Sequence, residues 1–247
     1  MFHHEQDDQC SNGLTTEDHE TETIISLLPL LEARIFAYDF LRRIFLEEPS
    51  REFLVNLSQQ QTVMAFPFKD ENQDIAQGTQ NVQAYIQQSN VLNETEYGKL
   101  HWDYTRLFIG PYELVAPPWE SAYLNKDKLL FQEETRRVRL AYLKYAFLPV
   151  LYQQEADDHL GLECDFMYQL SIVAYEKAQA KDWIGLREVL QDQADFLEQH
   201  LLRWIPLFAE KVIFHSSTAF YQGMGQIVNG FSKMDKIVLD ELLKIKH

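Results

Sequence analysis

Apolar residues return along this chain at the spacing of an α-helix, with polar residues between them. Leu31, Ile35, Tyr38, Leu41, Ile44 and Phe45 form one such stripe, with Pro29 suited to its first turn and Pro49 beyond its end. Ser50 is placed to cap a second helix carrying Phe53, Leu54 and Leu57, after which Gln59 to Gln61 and Phe66-Pro67-Phe68 mark a connection. Ile75, Val82, Tyr85 and Ile86 predict a Gln-rich helix. Leu100, Tyr104, Leu107 and Phe108 predict another, with Trp102 on a different side from Tyr104, and it stops at Gly110-Pro111. A helix from Leu129 to Leu148 carries basic residues at exposed positions, Arg136, Arg137, Arg139 and Lys144, and ends at Pro149. Periodicity resumes through Leu160, Glu163, Phe166, Met167, Leu170 and Val173. Asp182 caps a further stripe from Trp183 through Leu201 that is expected to close at Pro206, with Phe208 to Phe214 as a short separate piece. Thr218 to Ile245 reads as one long or two shorter helices, with Gly223, Gly225 and Gly230 as candidate breaks. No strand-like alternation is sustained. The prediction is an all-α, single globular bundle of roughly nine or more helices. It occupies residues 23–247 behind a mobile acidic tail of residues 1–22.

Composition narrows the function. A formal charge of −16 on 247 residues disfavours nucleic acid, whose phosphates would be repelled, and favours a cationic partner. Cys10 and Cys164 give neither a disulfide framework nor a zinc spacing, which fits a reducing compartment. The first 22 residues lack the apolar segment of an export signal, and no run reaches the length of a membrane span. A cytoplasmic protein without an integral membrane segment is expected.

Two stretches concentrate candidate chemistry. From Tyr104 to Leu124 the chain reads Y-T-R-L-F-I-G-P-Y-E-L-V-A-P-P-W-E-S-A-Y-L, where paired prolines hold an extended connection beside Tyr112, Trp119, Tyr123, Glu113 and Glu120. That mixture of aromatics and acids is a binding surface by composition. From Glu155 to Met167 it reads E-A-D-D-H-L-G-L-E-C-D-F-M. If helical, Glu155, His159 and Glu163 share one face with Asp158 beside them, a set able to bind a metal, transfer protons or hold a guanidinium. A di-iron bundle would need a second such set, and the chain has none. Gly223-Met224-Gly225 lacks the spacing of a phosphate loop, and Cys164 has a like-charged neighbour on each side. Catalysis is not expected. The competing readings are a nucleotide- or metal-dependent enzyme built on Glu155, Asp158, His159 and Glu163, and a structural helical adaptor.

Y-x-x-L-F-x-G-P from Tyr104, P-P-W-E-S-x-Y-L from Pro117 and D-H-L-G-L-E-x-x-F-M from Asp158, in that order, resemble the TorD/DmsD-like, NarJ-related family of cytoplasmic chaperones for molybdoenzymes, also called redox-enzyme maturation proteins. The resemblance covers about Leu30 to Leu242; Cys164 stands where Leu is common, and Ala156-Asp157 replace a Pro-containing approach. It implies an all-helical chaperone, not an enzyme, that binds the twin-arginine signal peptide of a molybdopterin-containing reductase and holds the apo form until cofactor insertion. The arginines would meet Glu120, Glu155 and Asp158, with His159 beside them, and the apolar part Leu107, Phe108, Pro118 and Trp119. The chaperone itself would need no cofactor. Family members are also linked to guanine nucleotide or molybdenum cofactor binding, for which Arg136, Arg137 and Arg139 are the candidate contacts. The connection after Gly110 can act as a hinge, which leaves a monomer and a domain-swapped oligomer both open.

Overall fold

A computed structural model of the chain describes residues 16–60, 62–88, 93–111, 114–125 and 132–245, with side chains from residue 27 onward. Helix α1 runs Thr16–Phe45, α2 Arg51–Gln60, α3 Gln73–Gln88 and α4 Glu94–Tyr104. A short α5, Ser121–Leu124, precedes α6 (Glu133–Lys144), α7 (Leu160–Gln179), α8 (Trp183–Phe196), α9 (Leu202–His215) and α10 (Ala219–Lys244). The described residues contain no strand, in line with the all-α expectation. The first helix starts ahead of the boundary expected at residue 22; residues 1–15, which include Cys10 and the rest of the expected tail, lie outside the described residues. So do Tyr112, Glu113 and the beginning of the helix expected from Leu129.

Helix α10 lies along α3 and α9, α1 lies along α7, and α8 closes against α7 and α10. The core this builds is rich in aromatic rings, among them Phe45, Phe108 and Phe208, which meet at 5.6–6.2 Å between centroids. Both expected side-chain caps are present in atomic detail. Ser50 Oγ accepts from Phe53 N at 3.2 Å, and Asp182 Oδ1 accepts from Gly185 N at 3.0 Å.

Two expectations about breaks are corrected, and of the two readings of Thr218 to Ile245 the single long helix is the one that forms. Pro29 is interior to α1, on its exposed side, while Leu27 and Leu31 anchor the flanking turns in the core. Pro206 does not end a helix, because α9 runs through it to His215. A proline withholds the N–H due to residue 202 and crowds that turn, but here the chain has just passed through a π-helical turn, Leu197–Leu201, where the i+4 register is already interrupted. The glycines of α10 do not break it either. A Cβ at Gly223 would come within 2.6 Å of the Gly78 carbonyl oxygen, and one at Gly78 within 2.6 Å of the Gly223 oxygen, so this pair lets the backbones of α3 and α10 cross.

Candidate functional site

Helix α4 runs directly into a second π-helical turn, Thr105–Ile109, which Gly110 closes with φ 101°, a left-handed value suited to glycine. The turn points Leu107 and Phe108 inward, where both are buried, whereas Trp102 is 68 % exposed. The chain then crosses back, with Ala116 N donating to Leu107 O, and brings Pro118-Trp119-Glu120 against Asp158-His159-Leu160. Glu120 N donates to Asp158 O at 3.0 Å and Leu160 N to Pro118 O at 2.8 Å, an isolated antiparallel bridge between Trp119 and His159. The two motifs that the sequence separates are thus one unit.

Within this unit the side chains divide into an inner and an outer set. Asp158 faces inward: its Oδ2 accepts from Ser121 N at 2.9 Å and its Oδ1 from Thr135 Oγ1 at 2.7 Å, so it ties together the starts of α5, α6 and α7. Glu120 is also fully buried, 2.8 Å from His200 Nδ1 and 3.7 Å from Arg203 Nη1. Pro118 is buried. Trp119 is only partly so; its Nε1 donates to Glu155 Oε1 at 2.8 Å and its ring stands edge-on to His159 at 5.8 Å. Glu155 lies at the rim, half-buried, and also accepts from Ala156 N. Burial, followed by the negative fields of Glu48, Glu47 and Glu155, pushes the Tyr104 hydroxyl pKa upward. Glu47 is exposed, and Glu48 lies 2.9 Å from His101 Nδ1.

The helical face expected for Glu155, His159 and Glu163 does not form. Helix α7 begins at Leu160, and His159 is its N-cap, with extended backbone (φ −75°, ψ 133°) and an Nδ1 that accepts from Gly161 N at 3.1 Å. Burial holds the imidazole pKa down to about 4, against the opposing pull of Asp158, so the ring is neutral and its lone pair is free to cap. Gly161 is required at this position: a Cβ there would lie 2.5 Å from the Leu46 Cα. Glu163 alone of the three is helical, and it meets different partners. Its Oε2 accepts from Trp204 Nε1 at 3.2 Å, and burial, then the charges of Glu120 and Asp158, push its carboxyl well above the usual range. Cys164 is buried, and burial followed by Glu163 and Asp165 raises its thiol pKa, in keeping with the expected disfavoured thiolate.

The basic residues of α6 are matched by local acids. Arg136 and Arg137 both reach Glu133, Arg139 pairs with the buried Asp157, and Lys144 pairs with Asp192. Sequence reasoning passed over His200, Trp204 and Thr135. For His200 the signal was present: a titratable residue in the middle of the apolar stripe Phe196, Leu197, Leu201 and Trp204.

Residues 69–210 match the family described as nitrate reductase delta subunit. Among curated proteins, the chain is 31 % identical over 145 residues to the chaperone protein TorD of Vibrio cholerae serotype O1, covering 59 % of this chain and 64 % of that one. It is 31 % identical over 122 residues to the Tat proofreading chaperone DmsD of Salmonella typhi, covering 49 % and 53 %. A third relative, the TorD of Aliivibrio fischeri, is 26 % identical over 157 residues, covering 63 % and 72 %. The chain thus spans just under two thirds of the length of the TorD relative from Vibrio cholerae. With more than half of its residues inside the family match, the chain belongs to the nitrate reductase delta subunit family.

Proposed function

We propose that this chain is a cytoplasmic maturation chaperone that binds the twin-arginine signal peptide of a molybdopterin-containing oxidoreductase and holds the apo form until its cofactor is inserted, before export. The names of its relatives, chaperone protein TorD and Tat proofreading chaperone DmsD, support the class. The observation that carries the reading for this chain is the Trp119–His159 bridge, which joins both motifs into one surface with an aromatic ring at its centre and a carboxylate at its rim. Glu120 and Asp158 are fully buried with inward partners, so the peptide's arginines are assigned to Glu155, the half-buried carboxylate beside Trp119. Carboxylates suit the guanidinium fork, and Trp119 offers its face to the apolar part that follows the arginines. No helix among the described residues is long and apolar enough to cross a membrane.

Calorimetric titration with a synthetic twin-arginine signal peptide tests this. Trp119→Ala is expected to weaken binding at least ten-fold, about 1.4 kcal/mol or more. Glu155→Gln should weaken it less and reduce its salt dependence, and a twin-lysine peptide should bind the parent more weakly. Equal affinity of the parent and both variants would remove the site from this surface.

A further inference from the structure

Buried oxygens without a hydrogen-bond partner gather on the two motifs: Glu120 Oε1, Ser121 Oγ, Tyr123 Oη, Asp157 Oδ1 and Glu163 Oε1. Two of these belong to carboxylates that are 0 % exposed, and both carboxylates lie beside His200. We propose that Glu120, Glu163 and His200 form a binding site for one divalent transition-metal ion of the Zn²⁺ class, beneath the Trp119–His159 bridge.

The three ligands come from three elements: the residue preceding α5, the first turn of α7, and the π-helical turn between α8 and α9. One donor atom from each lies within 4.8 Å of the others. A tertiary arrangement had to be built for that, since the residues are far apart in sequence. The second oxygen of each carboxylate is already held, Glu120 Oε2 by His200 at 2.8 Å and Glu163 Oε2 by Trp204 Nε1 at 3.2 Å, which leaves Oε1 of each as the free donor in a fixed orientation. Two buried carboxylates facing one another need either a shared proton or a cation between them. A divalent ion that displaces the proton from between them would find two carboxylate oxygens and an imidazole as donors, an oxygen-and-nitrogen set that Zn²⁺ and its first-row neighbours accept.

The surroundings permit occupancy. His200, itself nearly buried, also borders a surface cleft of about 310 Å³ between α6 and α8, with Arg137, Leu140 and Gln199, so only this ring separates the carboxylates from that side of the surface in the proposed entry path. The cation nearest the site, Arg203 at 3.7 Å from Glu120 Oε1, has a side chain 43 % exposed and can turn to solvent when a metal takes its place. Asp158, the remaining charge close by, has both oxygens engaged by Ser121 and Thr135.

The test is titration of the full chain, stripped with a chelator, with Zn²⁺ in competition with a chromogenic chelator. One tight equivalent is expected, with a rise in thermal midpoint. Glu163→Gln and His200→Gln should each weaken binding by roughly ten-fold or more. His3→Ala/His4→Ala should leave the tight equivalent in place, which separates the site from the tail. Co²⁺ bound to the parent gives a reading independent of any variant, with the intense ligand-field bands of a four- or five-coordinate site expected. Binding lost with the tail histidines, binding indifferent to Glu163→Gln, or a spectrum of hydrated Co²⁺ would overturn the proposal. So would a folded protein that takes up no Zn²⁺ while Glu163→Gln raises its thermal midpoint, because a shared proton would then be what joins the carboxylates.

Discussion

At the scale of one residue, His159 makes the fold sensitive to acid. Its neutral ring caps α7 through Nδ1, and burial lowers its pKa from 6.5 to about 4. A histidine with a depressed folded pKa binds its proton in the unfolded chain first, so its contribution to stability is present above about pH 6.5 and is lost as pH falls toward 4. The loss attributable to this ring is about 2 kcal/mol between pH 7 and pH 5. Glu163 acts with the opposite sign, since a carboxyl whose pKa is raised on folding favours the folded state more at low pH. Urea unfolding of the parent and of His159→Asn separates the two: Asn is a good cap that does not titrate, so the variant should lose that much less stability on acidification. Identical pH profiles would show that the ring is not the titrating group. The sequence displayed His159 inside D-H-L-G-L-E, but spacing says nothing of where a helix begins, so the residue read as a member of a helical face. Its real position follows from the extended backbone that lets it pair with Trp119.

Among elements, the helices were legible because each carries its own apolar stripe, and their interruptions were misjudged because an interruption depends on neighbours. Gly223 has the local signature of a break, yet its role is set by Gly78, 145 positions earlier on α3. Paired substitutions make the distinction measurable. Gly223→Ala places a Cβ 2.6 Å from the Gly78 oxygen and the Val82 Cγ2, and the strain should outweigh the better helix propensity for a net loss of about 1–3 kcal/mol. Gly98→Ala, inside α4 with nothing within 4 Å of the new methyl, should gain up to about 1 kcal/mol. Denaturant midpoints moving in opposite directions support close approach at α3 and α10; parallel gains would mean that the two helices have room to spare. The same argument covers Pro206, which terminates nothing because the π-helical turn before it has already altered the hydrogen-bond register.

Across the whole molecule, the helices are held in register by a polar network in the centre of the core. Arg34 on α1 donates through Nε to Asp235 Oδ1 at 2.5 Å and through Nη2 to Oδ2 at 3.1 Å, and through Nη1 to Gln193 Oε1 on α8 at 2.8 Å. Tyr38 Oη donates to Asp235 Oδ2 at 2.6 Å, and Gln193 Nε2 donates to Ser171 Oγ on α7 at 3.0 Å. All of these side chains are buried, so α1, α7, α8 and α10 meet through charges and amides that no water reaches. Arg34 stands in an apolar stripe between Leu31 and Tyr38, and Asp235 in another beside Phe231 and Val238; a charge in such a place needs a distant opposite, which a single sequence does not identify. Removing one partner strands the other. Arg34→Met should therefore cost about 3–5 kcal/mol, as should Asp235→Leu, each leaving an uncompensated buried charge. Removing both eliminates the stranded charge while Tyr38 and Gln193 still lose a partner each, so Arg34→Met/Asp235→Leu should be less destabilised than the sum of the singles by about 2–3 kcal/mol. Equilibrium unfolding of the four proteins in the cycle measures that difference. A coupling energy near zero would mean that the two charges are independently solvated, and that packing alone aligns α1 with α10.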